Sequence, residues 1–186
     1  MSEAKIIFTG PVGAGKSTAI SAISDTPASM TRLTVNERQD QRKIASGVAV
    51  DYGVMSLPGG EKIHLYGTPG RDNVDLIMDK LTSGGIGLIL LLDNTREHPL
   101  QDMRFFLDVF SAFIRQTSVA IGITQMDICA SPTIEEYSLE LQALGINPAI
   151  FVVDARAKKD VSILVQALLY SLAPELADAT RFHHPL

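Results

Sequence analysis

The chain has 186 residues, of which 46% are hydrophobic and 20% charged. This composition suits one domain with a packed core and excludes a disordered or fibrous chain. A net charge of −5 and a pI near 5.3 argue against a nucleic-acid partner, which requires a basic face. A lone Cys129, no signal peptide, no lipidation signal and no apolar span of about 20 residues together predict a cytoplasmic protein without a direct membrane anchor.

Short apolar runs alternate along the chain with stretches of helical period. We predict six strands, at 5–8, 48–57, 63–66, 87–92, 119–123 and 149–153. We predict helices at 15–24, 72–82, 98–116, 133–144 and 158–172. This alternation indicates a single α/β domain over 1–186, with a mixed, mostly parallel six-stranded sheet and helices on both faces. The Pro58-Gly59-Gly60 turn predicts a hairpin and therefore one antiparallel strand.

Two segments do not fit this alternation. Residues 25–46 show no clear periodicity, so we expect a functional or mobile loop there. From about residue 174 we expect a flexible tail. By contrast, the third predicted helix has a regular apolar stripe typical of a face packed on a sheet, formed by Met103, Phe106, Phe110 and Phe113.

The strongest motif follows the first predicted strand and opens the first predicted helix. Residues 10–17 read Gly-Pro-Val-Gly-Ala-Gly-Lys-Ser and fit G-x-x-x-x-G-K-[ST]. In such a loop backbone N–H groups surround phosphate oxygens, Lys16 adds charge to the terminal phosphates, and Ser17 ligates Mg²⁺. We therefore predict a nucleoside triphosphate site with Mg²⁺ on Ser17 and a catalytic Lys16, bound by Gly10, Val12, Gly13, Ala14, Gly15, Lys16, Ser17 and Thr18.

The base is indicated by residues 121–127, Ile-Gly-Ile-Thr-Gln-Met-Asp. Here the chain resembles the Ras-like small GTPases, a P-loop NTPase family whose corresponding segment reads Asn-Lys-x-Asp. Asp127 can accept hydrogen bonds from N1–H and the 2-amino group of guanine, which adenine lacks, although an aspartate that only ends a strand remains the alternative. Thr124 and Gln125 replace the asparagine that ties the base loop to the phosphate loop and the lysine that lies over the base. The resemblance implies GTP or GDP as ligand.

A second element on the base side follows the last predicted strand. Residues 153–156, Val-Asp-Ala-Arg, resemble the Ser-Ala-Lys loop of the same family. The resemblance therefore adds Ala155 and Arg156 to the residues expected beside the base.

Residues 65–71, Leu-Tyr-Gly-Thr-Pro-Gly-Arg, resemble the Asp-x-x-Gly-Gln segment that faces the γ-phosphate in this family. Gly70 matches the glycine whose N–H faces that phosphate. Gly67 stands where the family has the aspartate of the Mg²⁺ shell, and Arg71 where it has the glutamine that orients the attacking water. Arg71 either stabilises phosphate charge, as a catalytic residue with Gly70, or is a solvated residue at a loop tip. The loss of the glutamine implies slow intrinsic hydrolysis.

The switch-one threonine of the family is also replaced. Gly47 takes its place before residues 48–52, Ser46 is the nearest hydroxyl, and Thr31 or Thr34 are alternatives that the sequence leaves open.

The Gly-x-Pro-Gly form of residues 67–70 is similar to a bacterial branch of the family, the gliding-motility and polarity (MglA-like) GTPases and the conserved-operon GTPases. This resemblance implies a molecular switch in motility, pilus or polarity control, with a roadblock-type regulator or a GTPase-activating protein as partner. A non-cycling GTP/GDP scaffold is a second hypothesis. A P-loop ATPase or kinase is the third, with residues 88–93 as its acidic, metal-binding strand.

Overall fold

The computed structural model describes residues 4–35, 46–71 and 74–172. Along these ranges the chain forms seven strands and six helices. In chain order they are β1 Ala4–Thr9, α1 Lys16–Ile23, β2 Ser29–Val35, β3 Ser46–Ser56, β4 Lys62–Gly67, α2 Val74–Thr82, β5 Gly85–Asp93, α3 Pro99–Val109, α4 Ser111–Ile114, β6 Val119–Thr124, α5 Ile134–Ala143, β7 Ala149–Val152 and α6 Lys158–Leu172.

All seven strands belong to one sheet, in the order β2-β3-β4-β1-β5-β6-β7. The pairs from β4 through β1, β5 and β6 to β7 are parallel, while β3 runs antiparallel to both of its neighbours. The predicted α/β class, the mostly parallel sheet and the single antiparallel strand are confirmed. The carboxyl ends of β1, β4, β5, β6 and β7 therefore meet at one edge of the sheet.

The sheet has seven strands rather than the predicted six because of β2. This strand pairs antiparallel with β3, from Ser29 opposite Tyr52 to Val35 opposite Ser46. The prediction of a loop was therefore wrong for 29–35, where polar residues on an edge strand hide the period-two pattern. Thr31 and Thr34 are ladder residues of this strand. Residues 36–45 and the predicted tail from 174 lie outside the described residues.

Helices cover both faces of the sheet, as predicted. Alternate residues of β5 serve two cores, with Ile89 and Leu91 facing one and Leu88 and Leu90 the other. The first core packs against α1 and α6, and the second against α2, α3 and α5. A central strand buried on both faces explains why residues 85–93 are almost continuously apolar. Across the described ranges, none of the helices combines the length and apolarity that crossing a bilayer requires.

The third predicted helix is divided at Phe110. Its φ of −93° and ψ of 10° end α3 and begin the short α4. The predicted core role of the stripe is confirmed, because its side chains are buried on the second face of the sheet: Met103, Phe106, Phe110 and Phe113.

The turn that follows β1 depends on a glycine at position 10. Gly10 has φ of +139°, and an added Cβ would lie 2.0 Å from the Leu91 carbonyl oxygen, a backbone atom. Gly60 also has a positive φ, +84°, but an added Cβ would meet no atom within 4 Å. A substitution at Gly60 would therefore cause backbone strain alone, whereas one at Gly10 would add a steric clash.

We expect Gly10→Ala to lower the free energy of unfolding by about 3 kcal/mol or more, and Gly60→Ala by about 1 kcal/mol. The difference arises because only the first substitution drives a methyl group into a neighbouring strand. Urea denaturation followed by circular dichroism measures both losses. Equal losses would contradict the close approach of Gly10 to β5.

Candidate functional site

Two cavities adjoin each other at the carboxyl edge of the parallel strands, on either side of the loop between β1 and α1. The Lys16 cavity has a volume of about 460 Å³ and includes Lys16, Ser17 and Asp51 in its walls. The Asp127 cavity has a volume of about 590 Å³ and includes Asp127 and Arg156. Both are lined by Gly13, Gly15 and Thr18. One elongated ligand can therefore reach from one cavity to the other along this loop.

Lys16 is the buried cation of the site. Its side chain is 8% exposed, and Nζ donates hydrogen bonds to the carbonyl oxygens of Gly10 at 2.8 Å and Pro11 at 2.7 Å. An ammonium has three donors, so one remains for a ligand. Burial lowers the pKa of Lys16 to about 8, Asp51 opposes this shift, and Arg96 adds to it. A bound anion would offset the cost of this burial.

Ser17 is linked to a carboxylate that the sequence analysis did not select. Its Oγ donates a hydrogen bond to Asp51 Oδ2 at 2.5 Å. Asp51 lies in β3 directly opposite Gly67 in β4. An added Cβ at Gly67 would lie 3.1 Å from the same carboxylate oxygen. The glycine in place of the expected aspartate therefore leaves room for a carboxylate from the neighbouring strand.

A signal for Asp51 was present in the sequence, since it is the sole charged residue between positions 46 and 56. A lone carboxylate within an apolar strand needs a polar partner, and here that partner is Ser17.

The segment after β4 is fixed against the loop that follows β1. The Thr68 N–H donates to the Phe8 carbonyl oxygen at 2.8 Å, and the buried hydroxyls of Thr68 and Thr9 are 3.0 Å apart. An added Cβ at Gly70 would lie 2.8 Å from Val12 Cγ2. Gly70 therefore lies close to the loop, although it does not itself line the Lys16 cavity.

The Arg71 side chain contacts α3. Its guanidinium lies 4.0 Å from the centre of the Phe105 ring, and Nη1 is 3.7 Å from Asp102 Oδ1. The buried Asp102 also accepts a hydrogen bond from Arg96 Nε at 2.5 Å. Arg71 is not among the residues that line the Lys16 cavity. Its predicted catalytic role stays a prediction.

Thr124 joins the Asp127 cavity to the loop after β1. Its buried hydroxyl lies 3.3 Å from the Ala14 carbonyl oxygen and 3.2 Å from that of Leu92, and its single proton serves one of them at a time. Thr124, at the position where the resemblance predicts an asparagine, therefore links the two loops. Ala155 packs on the same loop, since its Cβ lies 2.7 Å from where a Cβ of Gly15 would be.

Arg156 is held by its neighbour Asp154. Arg156 Nε and Nη2 donate to the two carboxylate oxygens of Asp154, at 2.9 and 2.8 Å. These bonds lower the pKa of Asp154 to about 2. The paired side chains form one wall of the Asp127 cavity.

The structure brings most of the predicted site residues to these two cavities. Lining the Lys16 cavity are Val12, Gly13, Gly15, Lys16, Ser17 and Thr18. Lining the Asp127 cavity are Ala14, Thr124, Gln125, Asp127, Ala155 and Arg156, together with the three shared residues. Gly10, Gly70 and Arg71 line neither. The lining residues that sequence reasoning missed include Met30, Asp51, Thr68, Met126, Ile128 and Asp160.

Two of the solved structures that resemble this architecture are FeoB domains, and each is similar over most of this chain. The cytosolic domain of the T. maritima FeoB iron transporter in its GMPPNP form has a TM-score of 0.63 and 18% identity, covering 98% of this chain and 67% of that one. A point mutant of S. thermophilus NFeoB bound to GDP has a TM-score of 0.60 and 13% identity, covering 90% of this chain and 60% of that one. The chain has a P-loop NTPase fold. No protein-family model and no curated protein sequence matches it.

The buried Lys16 makes a testable contribution to stability without ligand. Between about pH 8 and pH 10.5 the unfolded chain keeps the Lys16 proton that the folded protein has released, so the free energy of unfolding rises with pH in this window. We expect the wild type to gain about 1 kcal/mol per pH unit relative to Lys16→Met between pH 8 and 9.5. Urea denaturation of both proteins at several pH values measures the gain. Parallel pH profiles would contradict the lowered pKa.

Proposed function

We propose that this protein binds GTP and GDP with Mg²⁺ and acts as a nucleotide-dependent molecular switch with slow intrinsic hydrolysis. The observation that carries the proposal is the pair of adjoining cavities, one lined by the cationic residue Lys16 and the other by the acidic residue Asp127. The two similar FeoB structures are described with GMPPNP and with GDP, which supports a guanine nucleotide.

The preference for guanine rests on Asp127. The turn that carries it is closed by backbone bonds, because the Gln125 carbonyl oxygen accepts hydrogen bonds from the N–H groups of Ile128 and Cys129. These bonds use backbone atoms alone, and Asp127 is among the residues that line the cavity. A carboxylate there matches the two adjacent donors of guanine, which favours GTP over ATP.

Mg²⁺ would be held by Ser17 and Asp51. Magnesium prefers oxygen ligands and takes few from the protein, completing its shell with water and phosphate oxygens. The Ser17 hydroxyl and the Asp51 carboxylate, 2.5 Å apart on the wall of the Lys16 cavity, fit this requirement. The bound ion would neutralise charge on the phosphate oxygens. Ser17 and Asp51 would hold the ion, and Lys16 would add a separate positive charge beside the phosphates.

Slow hydrolysis follows from the position of Arg71. No glutamine stands at this position to orient water, and the arginine is held against Phe105 and Asp102 on α3. A roadblock-type regulator or a GTPase-activating protein would then supply what the site lacks, in a motility, pilus or polarity system. The resemblance of residues 65–71 supports this assignment.

The Arg71 contacts also favour a second candidate, a scaffold that holds GTP or GDP without cycling. The ATPase or kinase alternative has less support. Asp93 Oδ1 accepts hydrogen bonds from both the N–H and the hydroxyl of Thr95, and Asp93 is not among the residues lining the Lys16 cavity.

The decisive experiment is nucleotide binding by the purified protein, followed with labelled GTP, XTP and ATP. The wild type should bind GTP more tightly than the other two nucleotides, and Lys16→Ala should weaken the binding of all three. Asp127→Asn should lose GTP and gain XTP, because an amide offers one donor and one acceptor to xanthine, which has an oxygen in place of the 2-amino group. We expect each change in affinity to be about tenfold or more.

Asp108→Asn, an exposed residue on α3, is the matched control and should bind as the wild type does. Equal binding of ATP and GTP, or indifference to Asp127→Asn, would reject the guanine assignment and favour the ATPase. GTP that survives overnight on the protein but exchanges with free nucleotide supports the switch. GTP that neither hydrolyses nor exchanges supports the scaffold.

The Mg²⁺ assignment has its own test. We expect Asp51→Asn to release GTP about tenfold faster than the wild type in millimolar Mg²⁺, because an amide binds the ion more weakly than a carboxylate. Chelation with EDTA should remove most of this difference. Asp25→Asn is the control. The Asp25 carboxylate accepts a hydrogen bond from the Ser56 N–H at the far end of β3. If the rate of GTP release depends on Mg²⁺ in Asp51→Asn as it does in the wild type, Asp51 is not a ligand of the ion.

A further inference from the structure

A buried amide lies directly behind the loop that carries Asp127. Asn94 follows β5 and is completely buried. Its backbone N–H donates to the Thr124 carbonyl oxygen at 3.0 Å. Its Nδ2 donates to the carbonyl oxygens of Cys129 at 2.7 Å and Pro132 at 3.1 Å. One residue at the end of β5 therefore contacts this loop at its start, its middle and its end.

The remaining polar atom of the side chain is bound from the opposite direction. The hydroxyl of Tyr137 on α5 donates a hydrogen bond to Asn94 Oδ1 at 2.7 Å. Burial, with the nearby Asp102 and Asp93 charges, raises the pKa of Tyr137 well above its usual value, so the hydroxyl keeps its proton and acts as the donor. The amide thus has partners for both its NH₂ group and its oxygen, and its orientation is fixed.

In sequence, Asp127 lies between Thr124 and Cys129, whose carbonyl oxygens both accept hydrogen bonds from Asn94. Inside the loop, the Gln125 carbonyl oxygen closes a turn on Ile128 and Cys129, which fixes the local shape but not its place against the sheet. The bonds from Asn94 to Thr124, Cys129 and Pro132 supply that placement. Recognition of adjacent donors on a planar base requires a carboxylate held to within about 0.5 Å.

We propose that Asn94 and Tyr137 are positioning residues that set the place of the Asp127 carboxylate, and so the selectivity of the site for bases with a 2-amino group. This inference rests on the proposed function and deepens it. Neither residue lines the Asp127 cavity, so each would act through the loop rather than by touching the base. Hypoxanthine differs from guanine only by lacking the 2-amino group, which makes the ratio of GTP to ITP affinity the direct readout.

The test uses the full chain and four proteins: the wild type, Tyr137→Phe, Asn94→Ala and Leu141→Ala. Tyr137→Phe keeps the ring and removes only the donor to Asn94. Leu141 is a buried core residue on the same helix, so Leu141→Ala lowers stability without changing the hydrogen bonds to the loop. Titration with GTP and ITP gives the affinity ratio, and urea denaturation gives the stability of each protein.

We expect the ratio to fall about five- to tenfold in Tyr137→Phe and at least as far in Asn94→Ala, because ITP, which offers only the N1–H donor to Asp127, should lose less affinity than GTP. The ratio should be unchanged in Leu141→Ala despite its lower stability. If the ratio falls equally in Leu141→Ala, loss of stability alone explains the effect and the inference is overturned. A ratio that is unchanged in Tyr137→Phe would also overturn it. Tyr137→Phe keeps the test valid even if Asn94→Ala does not fold.

Hydrogen exchange of the ligand-free protein separates the two proposals. The amides of Ile128 and Cys129 should exchange faster in Tyr137→Phe than in Leu141→Ala, independently of any nucleotide. A wild type that binds GTP and ITP equally would overturn the base assignment in the proposed function, and the selectivity role of Asn94 with it. A wild type that distinguishes them, with unchanged exchange and ratio in Tyr137→Phe, would overturn only the inference.

Discussion

The site is organised around a buried positive charge. Lys16 is drawn beneath the loop after β1 by the carbonyl oxygens of Gly10 and Pro11, where burial opposes the charged form. The loop can turn so tightly because position 10 has no Cβ to meet the Leu91 backbone. The same contact joins β1 and β5, so the stability of the central strands and the place of the cation depend on one turn. An anion in the Lys16 cavity would relieve the cost of the buried charge.

The elements around this loop are arranged by the parallel sheet. The loops that follow β1, β4, β6 and β7 all lie at its carboxyl edge, and they bring residues far apart in the sequence to the two cavities. Thr124 and Asn94 add cross-links between neighbouring loops at this edge. The strands provide a rigid base, and most side chains that face the cavities come from the segments between strands and helices.

Patterns local in the sequence predicted most of this arrangement. The alternation of apolar runs and helical periods identified six of the seven strands, and residues 10–17 identified the loop at the Lys16 cavity. The strand β2 could not be identified because its residues are mixed in polarity, and it is a strand only through pairing with β3. Asp51, Asn94 and Tyr137 were missed because their roles depend on contacts across 34 to 43 positions of sequence. A lone charge in an apolar strand marks Asp51 as unusual, but no local pattern identifies the distant partner of any of the three.

The facing pair of Asp51 and Gly67 also constrains how this site could change over evolution. A side chain at position 67 would crowd the carboxylate of Asp51, so an aspartate gained there before position 51 shrinks would bring two negative charges together. If Asp51 were replaced by a smaller residue first, no carboxylate would remain beside Ser17. Substitutions at the two positions are therefore expected to be coupled rather than additive.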